Sequence, residues 1–322
     1  MRKKLKKLLM AIVGLFFLYI GITIIMSLSQ EKVFSIIFIP KVIEPNNDFW
    51  NLVINGANEA GKDYQVELKI MAPSKEGDYN RQKVFILEAI KQKPDAIILA
   101  AEDYEKNAIE AKKIKDNGIK LIIMDSGIKG KIEDIMVTTN NFEAGIKMGY
   151  RVKKLLVEGG QVAIISHSKA TLTATERESG IRTVLNDMEE RIVESYDCGS
   201  DSNKAYENTV KAISSYEDIK VIAALNQYTA IGAARAIKDL NLSERIKVVG
   251  FDNSKEQIKY LEEGVYDSLV IQNPFYMGYI SVEEAVKLLQ GKNVEVNVNT
   301  GSTVITKENM YIGMNQRLLF PF

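Results

Sequence analysis

The sequence predicts an α/β protein: two doubly wound lobes built on parallel sheets, preceded by one transmembrane helix. Nine short apolar runs alternate with amphipathic stretches after residue 32. Several of those stretches stop at glycine or asparagine just before the next run, and residues 8–26 contain no charged side chain.

The N-terminal element is the span. Arg2, Lys3, Lys4, Lys6 and Lys7 precede "LLMAIVGLFFLYIGITIIM", 19 residues from 8 to 26. As a helix this is about 28 Å long, close to the ~30 Å hydrocarbon core. The basic flank should stay cytoplasmic, which places residues 30–322 outside. A secretory signal has an apolar region of about 7–15 residues, so an uncleaved anchor is expected. The alternative is a cleaved signal ending at "SLS" (27–29). No cysteine precedes Cys198, so an N-terminal lipoprotein anchor is not expected.

The strands follow. "VFSIIFI" (33–39), "VELKIM" (66–71), "DAIILAA" (95–101) and "KLIIMD" (120–125) come first. "QVAIIS" (161–166), "RIVESY" (191–196), "VIAALN" (221–226), "IKVVGFD" (246–252) and "SLVIQ" (268–272) continue the series. Unbroken apolar runs fit strands buried on both faces, as in parallel sheets. Helical patterns such as 79–92 and 203–216 lie between them, and "DNG" (116–118), "EGG" (158–160) and "EEG" (262–264) supply left-handed stops. Repeated βα units wind into sheets with right-handed crossovers. Nine strands in one chain of 322 residues fit two lobes better than one sheet.

Composition narrows the function. Beyond residue 7 the chain holds 37 basic against 42 acidic residues, a net of −5, which gives no footprint for nucleic acid. One cysteine forms no internal disulfide, and one histidine, His167, leaves little for a transition-metal site. No calcium-loop pattern occurs. The first strand is followed by no glycine until position 56, so a dinucleotide loop is missing, and no phosphate-loop pattern appears. With one histidine and one cysteine, a nucleophile–base pair of those types would have to be His167 with Cys198, and nothing in their spacing points to it. The expectation is a binding protein rather than an enzyme, with no cofactor and no metal.

Ligands of open α/β sheets sit beyond the carboxyl ends of strands. Four apolar runs finish there in Asp125, Asn226, Asp252 and Gln272. Any one of them reads equally as a helix cap or turn residue. Together they offer carboxylates that accept from neighbouring hydroxyls and amides that both donate and accept. That is the chemistry of sugar recognition. "NNDFWN" (46–51) adds Phe49 and Trp50, the only tryptophan, at a helix start. An aromatic face covers the C–H side of a sugar ring. Adjacent helical residues point about 100° apart, so the stripe Val53, Ala57, Ala60 should absorb one ring and leave the other over a cleft.

The order and spacing of "NNDFWNLVINGANEAGKDY", "KPDAIILAAED", "GIKLIIMDS", "TTNNFEAGIKMG", "TERESGIR", "ALNQYTAIGAARAI", "KVVGFDN" and "SLVIQNPFYMGY" resemble the ribose/galactose class of type I periplasmic sugar-binding proteins, over residues 32 to about 310. The resemblance implies two lobes joined by a three-segment hinge, with crossings near 139–140, 272–273 and 300–303. It divides the chain into a stub and anchor (1–29), a first lobe (30–139 with 273–301) and a second lobe (140–272 with 302–322). It also implies that Asn47 bonds a sugar hydroxyl, that Phe49 and Trp50 flank the ring, and that Asp125, Arg177, Asn226, Asp252 and Gln272 supply the other polar contacts. Ser126, Gln227 and Ser200 depart from the ribose pattern, which has arginine, aspartate and an aromatic at these places. These departures weigh against ribose itself, and a pentose or hexose is expected.

Repressors of the lactose-repressor family share the two-lobed fold but carry a basic helix-turn-helix headpiece, where this chain has a membrane span. Two partners remain. A tethered receptor points to a membrane sensor histidine kinase; the alternative is the permease of a sugar ABC transporter.

Overall fold

The computed structural model describes residues 32–320 and, ahead of them, helical positions at Met10, 13–16 and Tyr19. The predicted span at 8–26 lies mostly outside the described residues. Among those described, no helix is long and apolar enough to cross a membrane.

From residue 35 the chain alternates strand and helix. The first half comprises β1 (Ser35–Ile39), α1 (Asp48–Asp63), β2 (Glu67–Ile70), α2 (Tyr79–Gln92), β3 (Ala96–Leu99), α3 (Asn107–Asp116), β4 (Lys120–Met124) and β5 (Ile135–Thr138). The second comprises α4 (Asn141–Leu155), β6 (Gln161–Ser166), α5 (Leu172–Val184), β7 (Ile192–Asp197), α6 (Ser202–Ser215), β8 (Ile219–Ala224), α7 (Gln227–Asp239), β9 (Lys247–Phe251), α8 (Lys255–Glu262) and β10 (Tyr266–Gln272). The chain ends with α9 (Pro274–Leu289), β11 (Asn297–Asn299), β12 (Ser302–Ile305) and α10 (Gly313–Leu319).

These strands form two sheets, ordered β11-β5-β4-β3-β1-β2 and β12-β10-β9-β8-β6-β7. All pairings in the first are parallel. In the second, only the β10–β12 pairing is antiparallel. Setting the late strands β11 and β12 aside, each half follows the same doubly wound order, in which its first strand lies between its second and third. Such an order opens a crevice at the carboxyl ends of the strands, beside the point where the winding reverses. The fold is therefore two parallel-sheet α/β lobes.

The central strands are apolar because helices cover both faces: Ile36, Ile37, Phe38 and Ile39 of β1, and Ala96 to Leu99 of β3, are fully or nearly fully buried. The expectation of burial on both faces fails at β2 and β7, whose residues are partly or fully exposed at alternate positions or more often. Both are outermost strands, so one long edge has no neighbour. Strands β5, β11 and β12 were not among the expected runs. They are three or four residues long, and β11, "NVN", is too polar to announce itself.

Helix stops behave as the glycines indicated, with positive φ at Gly118, Gly159, Gly160 and Gly264. Among the helix pairs that touch backbone to backbone, two matter for the crevice. A Cβ on Gly56 of α1 would overlap Phe275 of α9, and one on Gly145 of α4 would overlap the backbone of Arg177 in α5. The first contact ties α9 back to the β1–β5 half. The second sets Arg177 at a fixed height above the other sheet.

Candidate functional site

Helix α1 begins at the carboxyl end of β1, and its cap belongs to the crevice. Asn47 accepts from the Trp50 amide through Oδ1 at 2.9 Å and stands at the cavity wall. Val53, Ala57 and Ala60 are fully buried, as the helical stripe requires. The one-in, one-out expectation for the aromatics does not hold. Phe49 and Trp50 are both buried, both line the cavity, and their rings meet edge to face at 5.1 Å and 87°. The reason is a partner that periodicity cannot reveal: the Trp50 indole donates Nε1–H to Glu76 Oε2 at 2.9 Å. That bond satisfies the polar edge of the indole inside the protein.

Asp125 and Asp252 close the fourth strand of each half, and both adopt left-handed backbone, φ 62° and 63°. Non-glycine residues rarely sit there, at a cost of about 1–3 kcal/mol each. The turn aims each carboxylate into the crevice. Lys41, just past β1, reaches Asp125 Oδ2 at 2.9 Å with both side chains buried. Burial works to lower the Lys41 pKa, but Asp125, Glu76 and Glu102 outweigh it and hold the ammonium above its ordinary range. Asp252 has no such ion pair at hydrogen-bond distance. Gln272 donates to its Oδ1 at 2.7 Å and the Gln227 amide to Oδ2 at 3.2 Å. Burial is the largest influence and raises its pKa to about 6, although Arg177 and Gln272 pull the other way.

Arg177 is buried with its guanidinium 3.6 Å from the centre of the Phe251 ring. It donates Nε–H to Asn141 at 2.9 Å and Nη1–H to the Leu225 carbonyl at 2.6 Å. These bonds leave Nη2 for the cavity. Asn226 is a helix cap after all, forming a capping box with Thr229 at the start of α7, and it lines the cavity as well. The cap and ligand readings were not exclusive.

All eight residues singled out in the sequence (Asn47, Phe49, Trp50, Asp125, Arg177, Asn226, Asp252 and Gln272) line one cavity. Lys41, Glu76, His167, Thr173, Gln227 and Tyr228 line it too. Sequence reasoning weighed His167 for metal and catalytic chemistry without placing it among the ligand contacts, and missed Lys41 and Glu76, which sit in "PKVIEP" and "PSKEGDY" and look like solvated turn charges. A reading that compared the two halves strand by strand would have found them, since Lys41 follows the first strand of its half as His167 does in the other. His167 Nε2 lies 3.1 Å from the Thr173 hydroxyl, and burial with Arg177 and Lys41 nearby pushes its pKa well below the usual value, so the ring is neutral. Cys198 is buried, its thiol raised to about 11 mainly by burial, and takes no part. Among the described residues no group of side chains is arranged to hold a metal ion.

Contacts also cross the crevice. The Phe49 amide donates to Gln227 Oε1 at 3.1 Å, Ser200 donates to Glu76 Oε1 at 2.9 Å, and the Tyr104 amide donates to the Ala170 carbonyl at 2.8 Å. The lobes are therefore closed on each other, around a void of about 30 Å³. That is room for about two waters. A larger guest enters only if lobes or side chains move apart.

A family model described as a periplasmic binding protein domain matches residues 36–293. The chain is 45% identical to a sugar transporter of known structure from Clostridium phytofermentans, with TM-score 0.81 over 86% of this chain and 100% of that one. It is 25% identical to a carbohydrate transporter solute binding protein from Agrobacterium radiobacter solved with D-arabinose, with TM-score 0.85 over 90% of this chain and 100% of that one. It is also 23% identical over 255 residues to the ribose import binding protein RbsB of Bacillus subtilis strain 168, spanning 79% of this chain and 82% of that protein.

Proposed function

Because the chain belongs to the periplasmic binding protein family, we propose that it captures a monosaccharide, a pentose or hexose, outside the cytoplasm and hands it to the permease of a sugar ABC transporter. It is a binding protein, not an enzyme. One observation carries the ligand class. Two aspartates, a guanidinium and three amides among the eight converge with two aromatic rings in a single cavity between the lobes. Carboxylates and the amides take hydroxyl hydrogens, the free Arg177 Nη2 donates, and the rings cover C–H faces. The names of the relatives, ribose import and arabinose binding, support the same class.

Import is favoured over sensing by those same relatives, whose names refer to import and transport. The sensor-kinase partner stays as a second reading because residues 8–26 support a tether, with the N-terminus cytoplasmic and the binding lobes outside. The eight cavity residues named above serve as the ligand contacts in either case.

The test is calorimetric titration of the full-length chain in detergent with a monosaccharide panel, followed by crosslinking in membranes with and without the sugar that binds. Saturable heat from a pentose or hexose supports the ligand class, and none from any of them removes it. Permease subunits captured in a sugar-dependent way support import. Capture of a histidine kinase instead would transfer the protein to signalling.

A further inference from the structure

On the β1–β5 side of the crevice one ammonium faces three carboxylates. Lys41 is paired with Asp125 at 2.9 Å. Glu76 and Glu102, both buried, have no cation within ion-pair distance among the described residues. Glu102 Oε2 accepts from the amide of Gly77, the residue after Glu76, at 3.0 Å, which holds the two acids close together. Its Oε1 is buried without a hydrogen-bond partner. Glu76 stands at the seam of closure, accepting from Ser200 of the opposite lobe, and Glu102 lies behind it, two residues before Tyr104, whose amide bonds Ala170 there.

We propose that closing the lobes over a sugar takes up one proton onto the Glu76–Glu102 pair, so that this protein binds its sugar more tightly as the medium turns acid. The inference rests on the sugar-binding reading given above. When the lobes part, water reaches the seam and both acids ionise at ordinary cost. When they meet, that water is lost, and burial raises both acids, Glu102 well above the ordinary carboxylate range because Glu76 repels it further. Lys41 opposes the rise in both but is already engaged by Asp125. The other groups facing the pair do not remove the imbalance. Arg177 interacts most strongly with Asp252 and only weakly with Glu76, His167 is neutral, and the Tyr228 hydroxyl donates to Glu44. A proton on Glu102 supplies the missing neutralisation and turns its unpartnered oxygen into a hydroxyl.

The sign follows from linkage. The closed form binds the proton more tightly, so affinity is highest in acid and falls as pH rises through the closed pair's range, by at most about tenfold per pH unit for one proton. Calorimetry of the full-length chain with D-ribose, D-arabinose, D-allose and D-galactose, in buffers of low and high ionisation enthalpy at matched pH, reads the proton directly. Expected are heats that differ between buffers by an uptake approaching one proton somewhere between about pH 5 and 8. Glu102→Gln should bring the two heats together and flatten the dependence of Kd on pH; Glu76→Gln serves if that variant does not fold. Binding whose heat is the same in both buffers across the range overturns the proposal. If no sugar binds at all, the sugar reading falls, and the melting temperature then decides on the proton. Glu102→Gln should melt higher than the parent near pH 8 and not near pH 5, and an offset equal at both overturns the proposal.

Discussion

Lys41→Met tests whether the charged side of the crevice is an integrated unit. The substitution keeps the length of the stem and removes the ammonium, leaving the Asp125 carboxylate buried beside Glu76 and Glu102. Lys41 and Asp125 side chains are 3% and 6% exposed, so solvent cannot take over the lost role. Breaking a buried pair costs about 3–5 kcal/mol. Protonation sets a ceiling, since neutralising an aspartate from its ordinary range costs about 4 kcal/mol at pH 7 but only about 1.5 kcal/mol at pH 5. The expected loss is therefore roughly 3–4 kcal/mol at pH 7, shrinking to about 1.5 kcal/mol at pH 5. In a chain of this size that lowers Tm by about 5–7 °C at neutral pH. Asp125→Asn added to Lys41→Met should restore part of it, because the carboxylate that Lys41 paired with is gone while Glu76 and Glu102 still lack a cation. Urea unfolding of both variants at the two pH values makes the measurement. A single-variant loss below about 1 kcal/mol, or one no smaller at pH 5, would show that the crevice is wetter and less coupled than its geometry states.

Trp50 is the only tryptophan, so emission reports the crevice alone, and its intensity or wavelength should shift with any sugar that calorimetry shows to bind; no shift removes Trp50 from the ring contact. Arg177→Ala strands two buried acceptors, the Asn141 side chain and the Leu225 carbonyl, and should cost about 2–4 kcal/mol of stability besides weakening sugar binding tenfold or more; a stable variant that binds normally would make the guanidinium dispensable. Asp252→Asn removes a carboxylate whose pKa is raised to about 6 from 3.8 but sets an NH2 against one of its two donors, so stability relative to the parent should rise by roughly 3 kcal/mol between about pH 4 and pH 8 on top of a constant loss; a pH-independent difference contradicts the assigned burial.

Most of the fold was legible because a parallel sheet announces itself. Strands covered on both faces need unbroken apolar runs, and β6 coincides with "QVAIIS" at both ends. The strands that escaped are those whose pairing does the work of their side chains. β11 is held by three register partners on β5, and its composition carries no signal. The crevice was legible where polarity interrupts hydrophobicity, at Asp125, Asn226, Asp252 and Gln272. It was illegible where charge sits in polar loops. Nothing in "PSKEGDY" distinguishes Glu76 from its exposed neighbours Lys75 and Asp78, because burial there is conferred by Trp50 and Ser200, residues 26 and 124 positions away. The fate of the two aromatics was missed for the same reason.

The two halves share a winding order but not a charge. Asp125 and Asp252 occupy the same place in each, with the same left-handed turn. After the first strands stand Lys41 and His167, and after the second strands Glu76 and Ser200. One half thus brings ionised groups to positions where the other brings neutral ones. Facing like with like would make closure pay a double desolvation cost and repel carboxylate from carboxylate. Facing charge with hydroxyl and neutral imidazole lets Ser200 solvate Glu76 at the seam, as a water molecule would. Arg177 answers Asp252 from outside the shared pattern, on a helix that Gly145 allows to approach α4. At these places the first half brings charge and the second brings groups that can meet it without repulsion, so the crevice can shut. Restoring symmetry at Ser200 with a carboxylate should therefore oppose closure far more than any substitution that merely removes a contact.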